Sequence, residues 1–485
     1  MNREIPGYYY DHEKKKYFKI EKTHTAPSSA AWSSDAVKRR KVEDKAQNLA
    51  QRRAHLIRNH IKRHFVVRDV VTSALLGREI GLPYAAECGR GRIVDHDLGA
   101  AAWTDGLVAK GDVPFAPSFA RKRYANMPCF HVSGEDDKTG LGVAYASLDE
   151  ETLVGGYIPT DENDKIHFSR EAHSSSGRAL SFRTEMVRCP QMSSIKYHRP
   201  SHKILLTSRE PDHSCGLYFF SPQLSDPEDR NRPRWLLGET NHYQRIAVRH
   251  GQHDEWVVHS STPAPASSDL ICVVGSNGGL LQVSSNESLS AIAPGVAPKG
   301  MQLPQEIFAQ DFQIGNHNVL LAGGRQPRLW ITDIRTPEPQ WSFAKHTSSI
   351  SHVKSVNPHQ VLVSGLQSSM ALYDVRFLSR SPRGTKPLLH FQEHRNEAHF
   401  HIGWDASPKL NVVAAAQDNG TVKLFSLRSG RQLRCPAVES IRTDTPIKAL
   451  MFQRMPTERM ASLFIGEGPL LRKFSFGALE CGDEA

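Results

Sequence analysis

An Asp and an Arg two residues apart occur twice in similar settings, as "WITDIR" (330–335) and "ALYDVR" (371–376). A carboxylate and a guanidinium in so short a motif can do two kinds of chemistry. They can satisfy each other through charge-assisted hydrogen bonds and serve as internal scaffolding. Alternatively, the Asp caps a turn while the planar fork of the Arg recognises a partner. Residues two apart on a strand share a side, so Asp333 projects with Arg335, and Asp374 with Arg376. One such pair suits the scaffolding account. Two copies 41 residues apart suit it less well, because consecutive repeats then present matching arginines on one face. A third stretch, "FSLR" (425–428), keeps Arg428 but has Ser426 where the Asp would stand.

Two further groups invite chemistry. "KRRK" (Lys38, Arg39, Arg40, Lys41) is a candidate nuclear-import signal or nucleic-acid contact. Its plainer reading is a solvated helix face, with Asp35, Glu43 and Asp44 diluting the charge. "HRNEAHFH" (394–401) with Glu393 holds metal-ligand residue types, and His399 and His401 would share one side of a strand. No fourth ligand or general base accompanies them, so turn histidines are expected, with no metal and no cofactor. The sequence has no G-x-S-x-G elbow, P-loop, G-x-G-x-x-G after a strand, or H-E-x-x-H. A binding protein is expected rather than an enzyme.

The elements that must position these residues are strands. An apolar strand, a short polar turn and a second apolar strand recur from 203–221 through 269–284, 318–335, 361–376 and 412–428 to 462–476. A weaker unit lies at 140–158, and the second strands follow one another at steps of 41 to 63 residues. Upstream strands end in proline turns at "IKYHRP" (195–200), "VKSVNP" (353–358) and "IGWDASP" (402–408). Four-stranded units at this period predict an all-β fold, a β-propeller of seven blades, whose closed ring leaves few exposed edges. "HTSSISHVKSV" (346–356) resembles the strand entry of a WD repeat, and "LYD" (372–374) matches its Trp-Asp with Tyr for Trp.

Four regions are expected: 1–34, an aromatic hairpin and linker; 35–83, a basic amphipathic helical segment; 84–128, an irregular connection; and 129–485, the propeller. The hairpin has Tyr8–Tyr10 and Tyr17–Phe18 as strands and Asp11–Lys16 as turn. It resembles the middle of a WW domain, but Trp32 stands in a Ser/Ala-rich linker. Ser34 or Asp35 is the expected helix cap, and Val42, Ala46, Leu49, Ala50, Leu56, Ile57, Ile61 and Phe65 form an irregular stripe. A second helix is expected over 66–83, ending at Gly81–Leu82–Pro83.

Composition limits the partners. Residues 1–80 carry 18 Lys/Arg against 9 Asp/Glu, and the remainder 43 against 42. The basic balance therefore belongs to the N-terminal region, and a uniformly basic nucleic-acid-binding body is disfavoured. Seven scattered cysteines without a C-x-x-C pair argue for a reducing compartment. No apolar run approaches a membrane span, and "MNREIPGYYY" lacks the apolar stretch of a secretory signal.

The opening "IPGYYYDHEKKKYFKI" (5–20) resembles the family of the fourth cullin-four-associated factor, also called the WD-repeat protein twenty-one family. Pro6, Gly7, Tyr8, Tyr9, Tyr10, Asp11, Lys16, Tyr17 and Phe18 carry the likeness, which continues through a helical segment into a WD-repeat propeller. It implies a substrate receptor of a cullin-RING E3 ubiquitin ligase, docking on the large subunit of the damaged-DNA-binding complex as adaptor. The family's docking motif, Trp-Asp-x-Arg, falls on Asp333, Arg335, Asp374 and Arg376, with Thr332 and Tyr373 in place of Trp. A helix before the propeller enters the adaptor's cleft in related receptors, and residues 36–80 match it. The protein substrate is not readable from propeller loops. A nuclear WD-repeat scaffold of a ribonucleoprotein or chromatin assembly, anchored by the basic helix at 36–68, is the alternative. A propeller hydrolase would need carboxylates converging in the channel. Residence in the nucleus, the cytoplasm or both is expected.

Overall fold

The computed structural model describes residues 7–11, 14–21, 31–63, 97–116, 124–134, 143–149, 152–158, 187–188, 191–209, 216–221, 244–247, 257–292, 304, 306–335, 341–377, 385–455 and 458–477. They fall into two units, Met1–Glu87 and Cys88–Ala485.

In the first unit, strands Tyr8–Asp11 and Lys16–Lys19 pair antiparallel, with Tyr9 opposite Phe18 and Tyr10 opposite Tyr17. Aromatic cross-strand pairs supply what a two-stranded ribbon lacks in a core. Trp32 does not stand in a linker: its ring stacks on Phe18 at 4.8 Å, and Lys14 lies 5.8 Å from the Phe18 ring centre. Helix α1 (Ser34–Arg63) follows. Its cap is Ser33 rather than Ser34 or Asp35, since the Ser33 hydroxyl accepts from the Ala36 amide at 3.3 Å. Val42, on the expected stripe, is 68% exposed. The second helix expected at 66–83 lies outside the described residues.

The second unit is a seven-bladed β-propeller of four-stranded antiparallel sheets. The first blade runs from Phe130–Val132 to Val187–Arg188, the second from Met192–His198 to Gln244–Ala247, and the third from Val258–Pro263 to Leu289–Ala291. The fourth spans Ile307–Gln313 to Ser342–Lys345, the fifth Ile350–Ser355 to Leu389–His390, and the sixth Trp404–Ser407 to Gln432–Leu433. The seventh takes Leu450–Gln453, Ser462–Glu467 and Leu470–Phe476, and its outermost strand is Leu107–Pro114.

That last strand corrects the irregular connection expected over 84–128. Helix α2 (Leu98–Asp105) and strand Leu107–Pro114 lie there, and Leu107 pairs with Phe476 to close the ring. Gly111, at φ 103°, sits in the shift of register between Ala109 and Asp112, and Pro114 ends the strand. An outermost strand tolerates both residues, which in sequence resemble loop signals. Trp103 of α2, 1% exposed, packs with Val412, Leu424, Leu463 and Phe474 between the sixth and seventh blades. The core is thus a ring of apolar clusters between neighbouring blades. Leu321, Leu329 and Ile350, for example, join the fourth blade to the fifth.

Candidate protein-docking surface

Strands alternate direction within a blade, so the ends of the third strands lie on one face of the ring. The third strand of the fourth blade ends at Asp333 and that of the fifth at Asp374. In both, the next residue turns back on the second strand: Ile334 donates to the Asn318 carbonyl and Val375 to that of His359, each at 2.9 Å. The aspartates accept the amide two residues on, Arg335 and Arg376, each at 3.0 Å. Each guanidinium then folds onto its own aspartate. Nε lies 3.0 Å from Oδ1, and Nη2 donates to Oδ2 at 2.6 Å, in both pairs.

The two pairs are therefore copies of one geometry on consecutive blades. Arg335 is 63% exposed and Arg376 55%, against 30% for Asp333 and 7% for Asp374. Hydrogen bonding from the arginines holds both carboxyls below the usual carboxylate range and raises both guanidiniums. Nε and Nη2 of each fork are used on the aspartate, and the Arg376 guanidinium also lies 5.4 Å from the Phe377 ring centre. The pairs satisfy each other as scaffolding would, and each arginine nevertheless stays more than half exposed. The aspartate shapes the turn and aims an arginine whose outer edge stays open.

The register extends the series. Ser284 of the third blade and Ser426 of the sixth occupy the aspartate position, each followed by a turn-back amide donating at 2.9 Å, from Ser285 and Leu427. The Ser426 hydroxyl accepts from the Arg428 amide at 3.1 Å and donates to a carboxylate of Asp97, which is 3% exposed. A residue just ahead of α2 thus supplies the charge that the sixth blade lacks in sequence. Arg428 is exposed, and its guanidinium meets no carboxylate among the described residues. Beside it opens a cavity of about 520 Å³ lined by Leu388, Leu389, Pro408 and Leu427, on the face that carries Arg376.

The residues in place of the Trp point inward. Thr332 and Tyr373 are both 2% exposed. The Tyr373 hydroxyl lies 2.8 Å from Nδ1 of His346, whose Nε2 lies 2.9 Å from the Ser369 hydroxyl, and that is 2.7 Å from Ser348. Burial lowers the His346 pKa to about 4 and raises that of Tyr373 to about 12. Both positions are part of the blade's interior. Sequence spacing did not reveal Asp97, which lies 329 residues from Ser426.

Of the basic run, Arg40 is engaged: its guanidinium bonds the Tyr9 hydroxyl and lies 5.3 Å from that ring's centre. Lys38, Arg39 and Lys41 are exposed. His399 and His401 do not share a strand. They precede strand Trp404–Ser407, in a turn where the Asn396 side chain bonds the backbone of His399. Among the described residues no group of three or more His, Cys, Asp or Glu is placed to hold a metal. No described helix is long and apolar enough to cross a membrane. Two carboxylates on first strands of the blades are committed. Asp311 accepts from the Ser355 amide and Asp405 from that of Phe452, each at 2.8 Å and each onto the next blade, and Lys354 lies 3.6 Å from Asp405.

No family model matches the sequence. WD repeat-containing protein 21 of Schizosaccharomyces pombe is 22% identical over 431 residues, covering 87% of each chain, which meets the likeness expected from the opening residues. The crystal structure of the WD40 β-propeller domain of Doa1 superposes with a TM-score of 0.49 at 10% identity, covering 77% of this chain and 98% of its own. The likeness spans most of both chains and agrees with the seven-bladed propeller seen in the fold.

Proposed function

We propose that this chain is a substrate receptor of a cullin-RING E3 ubiquitin ligase. It docks on the large subunit of the damaged-DNA-binding complex through Arg335 and Arg376, and presents a target protein on the propeller. The observation that carries the reading is the repeated geometry: two aspartates on consecutive blades aim two exposed arginines alike. Paired forks suit backbone carbonyls or carboxylates of a partner and add orientation to charge. The exposed Val42 gives α1 an apolar point without a described partner, in keeping with a helix that seeks a groove. Ubiquitin transfer then belongs to the ligase's other subunits, and this chain contributes proximity.

Combining Arg335→Ala with Arg376→Ala is expected to abolish co-purification of the adaptor while lowering the thermal melt by no more than about 5 °C, since the Asp333 pair is exposed and stabilises little, and only the buried Asp374 loses a partner. Undiminished adaptor recovery by the double variant would sink the docking claim. If the basic helix instead anchors the chain to RNA or DNA, changing Arg39, Arg40, Arg52 and Arg53 removes a strongly salt-dependent nucleic-acid affinity and spares the adaptor.

A further inference from the structure

Among the described residues of the propeller, the exposed large apolar side chains are Ile314, Phe377, Leu388, Phe400, Met460 and Phe476. All but Phe400 stand at the end of the blades where first and third strands finish, the end that carries Arg335 and Arg376. Single exposed apolar residues are ordinary, but their gathering at one end marks a surface that another protein covers. Phe377 is 71% exposed directly after Arg376. Leu388, 49% exposed, is fixed by its amide, which donates to the Leu372 carbonyl at 2.7 Å.

Leu388 leads into the cavity of about 520 Å³ between the fifth and sixth blades. Leu372 and Leu388 form its fifth-blade wall, and Asn411, Leu427 and Arg428 its sixth-blade wall. No acidic residue lines it. The sixth-blade wall holds donors with nothing to bind. Neither the side-chain amide of Asn411 nor the guanidinium of Arg428 has a partner among the described residues. Their backbone, by contrast, is fixed. Asn411 sits at φ 56°, a left-handed turn that asparagine tolerates, and its carbonyl accepts from the Leu427 amide at 2.9 Å. The Ser426 hydroxyl accepts from the amides of Arg428 and Ser429 at 3.1 and 3.2 Å, and donates to Asp97. Asp97 precedes α2 without capping it, so its carboxylate is turned toward Ser426. Arg335 and Arg376 spend part of each fork on their own aspartates, whereas Arg428 keeps its whole fork.

We propose that this cleft is a third anchor for the adaptor, on the blade after Arg376. It takes a bulky aliphatic side chain against Leu372 and Leu388, and the carboxylate of an adjoining Asp or Glu on Arg428 and Asn411. A planar fork beside a free amide matches the two oxygens of a carboxylate, and a cation finds no acid in the cleft. The anchor rests on the receptor reading. It widens the docking surface from two blades to three and names the chemistry of the segment that fills it.

The test is surface plasmon resonance of the full chain against the purified adaptor at low and high salt. Arg428→Met keeps the stem and removes the fork, and should weaken binding about five- to tenfold and flatten its salt dependence. Arg428→Lys keeps the charge without the fork and should fall between parent and Arg428→Met. Leu388→Asp sets a carboxylate where an acid must dock, and should cost about tenfold, whereas Leu388→Met should stay within about twofold. Both positions are exposed, so thermal melts should move by no more than about 2 °C. If the adaptor fails to bind the parent, or still binds Arg335→Ala with Arg376→Ala, the receptor reading and the anchor fall together. If that pair is required but Arg428→Met and Leu388→Asp bind within about twofold of the parent, the anchor alone is overturned. A loss in Arg428→Met that is equal at both salt concentrations overturns it too.

Discussion

Asp374 and Arg376 divide their labour. The carboxylate is 7% exposed and takes the amide and two guanidinium bonds of Arg376, while the arginine stays 55% exposed. Asp374→Ala should therefore weaken adaptor binding by about three- to tenfold with Arg376 still present, because an untethered fork must be ordered on docking. Surface plasmon resonance against the adaptor reads this directly. One residue earlier the consequence reverses. Tyr373→Phe leaves Nδ1 of buried His346 without its partner, and should lower unfolding stability by about 1–2 kcal/mol with adaptor affinity unchanged. Denaturant melts and binding on the same preparations separate the inward residue from the outward one.

Among the elements, α2 and the sixth blade are joined through Asp97 and Ser426. Placing a second acid there by Ser426→Asp confronts two carboxylates in a buried site, and should cost more than about 2 kcal/mol. Adding Asp97→Ser should recover most of that loss, and a double-mutant cycle in urea measures the coupling. The blades were legible in the sequence because a buried strand beside a polar turn repeats: VLVSGLQSSMALYD and VVAAAQDNGTVKLFS show the pattern plainly. The hairpin and α1 were legible from aromatic alternation and a change of period. Strand Leu107–Pro114 was not, because an outermost strand tolerates the Gly111 bulge and a terminal proline that normally mark loops. Asp333 and Asp374 were found by repetition, whereas Asp97 stands in no repeat and only the folded ring brings it to Ser426.

Across the whole molecule, His131, His259, His346 and His394 are each under 9% exposed, with pKa values lowered to about 3 or 4, chiefly by burial. In an unfolded chain such groups titrate near 6.5. The unfolded state therefore binds more protons between pH 6.5 and about 4, so stability is full above 6.5 and falls as acid is added through that window. Thermal melts should drop by at least about 5 °C from pH 7 to pH 5, and a flat profile contradicts neutral buried imidazoles. Closure of the ring also has a consequence in time. Leu107 waits for Phe476, so a chain emerging from the ribosome at about 5–20 residues per second holds its early strand unmatched for roughly 20–70 s. A message truncated before the last blade would yield a ring that cannot shut. Synthesis itself becomes the checkpoint: the protein is either finished or never assembled.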